Sequence, residues 1–138
     1  MTRNRIIAAL TVTFIVTCII ASAASTERTD DQLTDVDAVS LVRQFNTAEA
    51  ELFGARNGSH RYMPLAKVLE TPSLKSQIKV SVAISDETSG TVKNYSVSLI
   101  PSADGKHYML SLAPMGCGPA FFSNETGVIY PGKAAGCD

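Results

Sequence analysis

Ala38, Leu41, Val42, Phe45, Ala48 and Leu52 recur at steps of three and four residues, the spacing that gathers side chains on one face of a helix. Arg43, Gln44, Glu49 and Glu51 fall largely off that stripe, so the run predicts an amphipathic helix docked through Leu41, Val42, Phe45, Ala48 and Leu52. Thr34 and Asp37 precede it at the spacing of a capping box, with aspartate in the glutamate position. Asn57-Gly58 supplies a left-handed stop, which puts the helix end near Gly54 to Arg56.

Beyond Ser59 the pattern weakens. Pro64 and Pro72 punctuate the stretch to Ser76, and Met63 to Leu69 predicts a short helix with Pro64 in its first turn. The period then changes to two. Ile78, Val80, Val82 and Ile84 alternate with Lys79, Ser81, Ala83 and Ser85, which describes a strand with one buried face. Asp86 to Thr91 reads as a loop around Gly90. A second strand carries Tyr95, Val97 and Leu99 on one side. Asp104-Gly105 then signals a tight turn into a third strand with Tyr108, Leu110 and Leu112, which Pro114 ends. Ala120-Phe121-Phe122 and Val128-Ile129-Tyr130 predict a terminal hairpin turned through Asn124 to Gly127. One helix followed by a run of strands predicts an α+β fold, with the helix across one face of an antiparallel meander of about 4–5 strands.

The front of the chain has a different character. Arg3 and Arg5 precede an apolar run from Ile6 to Ile20 that closes on Ala21-Ser22-Ala23, the pattern of a secretory signal peptide over residues 1–23. The rival reading is an uncleaved anchor, because the apolar run approaches the length of a membrane-spanning helix. Residues 24–36 read as a polar tether, and residues 37–138 as one globular domain. Cleavage after Ala23 leaves 115 of the 138 residues and takes the 12 basic residues to 10 against 13 acidic, a net charge of −3. No basic stripe survives, which argues against nucleic acid as a partner. Membrane contact is expected only if the N-terminal segment is retained.

Of the three cysteines, Cys18 would leave with the leader, and Cys117 and Cys137 would remain as an even pair. A disulfide between them is expected in an oxidising, extracytoplasmic compartment, closing a loop of about 20 residues. They lack Cys-x-x-Cys spacing and a neighbouring histidine, so neither a redox pair nor a metal site is expected. His60 and His107 sit in a polar loop and after the Asp-Gly turn, with no spacing that pairs them with a nucleophile. Glu49 and Glu51, two apart on a helix, point in different directions and make poor paired carboxylates. No catalytic residue, cofactor or metal ligand is therefore assigned. Asn57-Gly58-Ser59, Asn94-Tyr95-Ser96 and Asn124-Glu125-Thr126 fit the glycosylation acceptor pattern.

Two stretches carry a resemblance. Ala38-Val39-Ser40-Leu41-Val42-Arg43-Gln44-Phe45-Asn46-Thr47-Ala48-Glu49-Ala50 resembles the head-proximal helix of type IV pilins and type II secretion pseudopilins. Phe121-Phe122-Ser123-Asn124-Glu125-Thr126-Gly127-Val128-Ile129 is similar to the hairpin that closes the sheet of those heads. The order of helix, variable loop, alternating strands and C-terminal cysteine pair also resembles short bacterial pilin-like proteins. The resemblance implies a non-enzymatic structural or binding protein with protein partners, an accessory of a pilus or secretion system. The prepilin leader motif is missing: residues 1–24 contain neither glycine nor an acidic residue. Two alternatives stay open, a true filament subunit that keeps its N-terminal helix and a secreted enzyme or inhibitor on an unrelated α+β scaffold.

Overall fold

In the computed structural model, residues 32–55 and 60–137 are described. The expected leader, most of the tether, the Asn57-Gly58 stop and the acceptor site around it lie outside those residues. Helix α1 spans Asp35–Gly54. Its N-terminus is closed reciprocally: the Asp37 N–H donates to Thr34 Oγ1 at 3.2 Å, and the Thr34 N–H donates to the Asp37 carboxylate. Two of the helix's orphan donors are thereby satisfied. The last part of the polar segment is docked rather than free. Leu33 is buried, and its N–H donates to Asn94 Oδ1 at 2.8 Å.

Two short helices follow, α2 (Leu65–Val68) and α3 (Pro72–Gln77). Pro64 caps the first from outside and Pro72 opens the second, where a missing N–H costs nothing. Six strands then form one antiparallel sheet in sequence order: β1 (Ala83–Ile84), β2 (Ser89–Val92), β3 (Tyr95–Pro101), β4 (Tyr108–Pro114), β5 (Pro119–Asn124) and β6 (Ile129–Lys133). The fold is α+β, with one more strand than the upper end of the sequence expectation.

Three local expectations change. The alternating run Ile78 to Ile84 is not a full strand, since only Ala83 and Ile84 pair, with Thr91 and Gly90 of β2. α3 continues to Gln77 and the Ile78 N–H still donates to Leu74, so the chain reaches the sheet late. Ile78, Val80 and Val82 nevertheless pack on the core, so the alternation reports burial rather than pairing. The stretch read as a loop holds β2, whose residues Ser89-Gly90-Thr91-Val92 pair with Ser98 back to Tyr95. The short helix is Leu65–Val68, narrower than Met63 to Leu69.

The core lies between α1 and the sheet. Leu41, Val42, Phe45 and Ala48 face Val97, Leu99, Leu110, Leu112 and Phe121 within one cluster, with Leu65, Val68 and Leu74 of the short helices filling one side and Leu52 at the margin. Each fully buried aliphatic or aromatic side chain contributes about 1.5–3 kcal/mol of transfer free energy. The sheet's two edges are blunted. β1 is two residues long, and β6 carries Pro131, which cannot donate to a further strand.

Candidate functional site

The sheet has two unlike faces. One lies under α1. On the other, Ser98, Ser111, Phe122 and Tyr130 stand directly opposite one another across β3, β4, β5 and β6. Ile100 and Met109 pair beside that row. Ile100, Met109, Phe122 and Tyr130 are all exposed, large and apolar. The Phe122 ring comes close to Gly132, where a Cβ would lie within 2.7 Å of it, so the glycine leaves room for the ring. Small hydroxyls and a few broad apolar side chains thus make up this face.

The end of α1 nearest the β3–β4 turn holds a second constellation, polar and aromatic. The Tyr108 hydroxyl donates to Asn46 Oδ1 at 2.9 Å, Asn46 Nδ2 donates to Ser123 Oγ at 2.8 Å, and the Ser123 hydroxyl donates to the Val128 carbonyl at 2.9 Å. This chain pins mid-helix to β4, β5 and the terminal turn. Tyr62 stacks on Phe53 with ring centroids 4.6 Å apart and meets Tyr108 edge-on at 4.7 Å. Glu49 lies within this cluster with no exposed surface, and the Met63 N–H is shared between its two oxygens at 3.2 and 3.1 Å. Burial pushes its carboxyl up to about 7, and the Met63 hydrogen bond only partly opposes that. Burial also raises the Tyr108 phenol, as does the nearby Glu49.

Glu49 corrects the sequence reading. The pattern sets it largely off the apolar stripe, yet it stands four residues after Phe45 and three before Leu52, squarely on the buried face. The spacing carried that signal, and the charge of glutamate masked it. Glu51 is exposed, so the two carboxylates do diverge.

Cys117 and Cys137 meet, with Cα atoms 5.5 Å apart in a disulfide. The bond ties the end of the chain to the connection between β4 and β5. Disulfides persist in oxidising surroundings, so the pair points to an extracytoplasmic setting. Among the described residues no helix is long and apolar enough to cross a membrane.

The histidines separate. His60 is exposed and its Nδ1 lies 3.1 Å from the Phe53 carbonyl. His107 Nδ1 lies 2.9 Å from Glu125 Oε1, and that contact holds the Glu125 carboxyl below its usual range. In the same turn the Ser102 hydroxyl donates to Asp104 and accepts from the His107 backbone N–H at 3.0 Å. The turn therefore holds a histidine oriented by a carboxylate. Among the described residues no group of three His, Cys, Asp or Glu side chains could hold a metal ion. Of the two acceptor asparagines within the described residues, Asn94 receives the Leu33 N–H and Asn124 receives the Thr126 N–H, so both side chains serve local structure. No family model, curated protein or solved structure matches the chain.

Proposed function

We propose that this chain is an exported, non-enzymatic protein of pilin-like design that acts through its surface as an accessory of a type IV pilus or type II secretion system. The observation that carries the reading is the division of the sheet. One face is covered by α1 together with the two short helices, while the other presents Ile100, Met109, Phe122 and Tyr130 as exposed apolar side chains. The disulfide and the expected leader support export.

Fractionation of the producing bacterium tests the proposal. The mature chain should co-sediment with sheared surface filaments or with the secretion complex, and Phe122→Ser with Tyr130→Ser should weaken that association without unfolding the protein. A chain that stays monomeric and unassociated in every fraction would contradict it. Association that requires the retained residues 1–23 would favour the filament-subunit alternative.

A further inference from the structure

α3 runs on to Gln77 before the chain turns toward the sheet, and of the segment that follows only Ala83 and Ile84 pair with β2. Residues 78–82 therefore pass the short helices without joining the ladder, and a groove of about 320 Å³ opens between the two. Its lining is uniform. Leu69 and Leu74 come from the helical side, and Ile78, Val80, Val82 and Ile84 from alternate positions of the segment. Leu74 is buried, Ile78, Val80 and Val82 are half-buried, and Ile84 is exposed, so the groove is open to solvent along the segment.

Every side chain lining it is aliphatic except that of Lys75, in the last turn of α3. The lining offers no ring to stack on a sugar or an aromatic ligand, and no hydroxyl, amide or carboxylate to orient a polar one. Lys75 is exposed and makes no ion pair with another described residue. Glu70, beside Leu69, is paired to Lys67 at 3.2 Å. The sign reverses past Ile84, where Asp86 and Glu87 follow Ser85. The groove thus has a cation at its α3 end and carboxylates beyond its β1 end. We propose that this groove binds a free fatty acid, its chain along Ile78, Val80, Val82 and Ile84 and its carboxylate at Lys75. Charge complementarity sets the direction, since an anionic head is attracted by Lys75 and repelled by Asp86 and Glu87. The volume lies at the small end of the roughly 300–1,000 Å³ of ligand pockets, and the segment spans at most about 20 Å, which suits one chain. The site is separate from the serine-and-aromatic face of the sheet.

Titration of the whole exported chain with dodecanoate, below its micelle concentration and followed by amide shifts, tests the proposal. Saturable shifts are expected from Leu74 to Ile84 and none at Met109 or Tyr130. Shortening the chain to octanoate should weaken binding by up to about fourfold for each methylene removed. Lys75→Glu should weaken dodecanoate about fivefold and strengthen dodecyltrimethylammonium, which carries the opposite charge on the same chain. Equal binding of the two amphiphiles to the native chain would overturn the proposal, as would equal shifts at Met109 and Tyr130. Vesicles of anionic phospholipid should leave the Leu74 to Ile84 amides unchanged, and a response there would place a membrane surface on the groove instead. Shifts of the same amides on diluting the protein alone would place a second copy there and overturn it equally. Should Lys75→Glu not fold, the native chain's preference for dodecanoate over dodecyltrimethylammonium decides alone.

Discussion

Phe45 and Glu49 sit one helical turn apart on the same buried face and contribute in opposite ways. Phe45 fills the centre of the helix–sheet contact. Phe45→Ala should cost roughly 3–5 kcal/mol, the range for truncating a buried ring, while exposed Glu51→Ala stays within about 0.5 kcal/mol. Urea unfolding of the two variants checks this, and equal midpoints would mean that α1 is not docked through Phe45. Glu49 makes stability depend on pH. Its folded value of about 7 lies above the 4.5 of the free side chain, so the folded state binds the proton more tightly. The stability it contributes is fully present below about pH 4.5 and is lost as the pH rises through about 7. The full loss is on the order of 3 kcal/mol. Glu49→Gln should flatten that decline in melting curves taken across the same range. A native chain whose melting temperature does not fall across it would contradict the assignment. Gly105 is constrained twice, by a φ of +69° and by the Arg61 side chain over it.

At the scale of elements, the hydrogen-bonded chain Tyr108–Asn46–Ser123 fixes where α1 crosses the sheet. Tyr108→Phe keeps the ring contact with Tyr62 and leaves Asn46 Oδ1 without its donor. The expected cost is about 1–2 kcal/mol, read from urea midpoints, and a neutral result would mean that water replaces the phenol at no penalty. None of these partners was legible in the sequence, because the pairings span more than 60 positions and obey no period. What could be read was whatever repeats locally. The stripe through Phe45 gave the helix, and the alternations through Val97 and Leu110 gave β3 and β4. β2 escaped because Ser89-Gly90-Thr91 lacks apolar alternation and its turn, Lys93-Asn94, carries no glycine, although Lys93 takes a φ of +51°. The Ile78–Ile84 run misled for the complementary reason. Its apolar residues alternate because they pack on the core, and sequence does not distinguish a packed extended segment from a hydrogen-bonded strand.

At the scale of the whole molecule, the meander is tied down twice, by Leu33 docking beside Asn94 in the β2–β3 turn and by the disulfide after β6. Such a clip contributes roughly 3 kcal/mol by restricting the unfolded chain, a sizeable part of the 5–15 kcal/mol typical of a small domain. Cys117→Ser should therefore lower the melting temperature clearly, and an unchanged value would show that the bond adds no stability. With the helices covering one side and the edges blunted, the serine-and-aromatic face is where the proposed function places a partner. On the proposed reading the protein is an exported head, freed of its leader and closed by one disulfide. Intact mass of the exported protein, alkylated without reduction, tests it most directly. The expected chain begins at or within a few residues of Ala24 and carries no alkylated cysteine; a mass that includes residues 1–23, or two alkylated thiols in the folded protein, would rule this out.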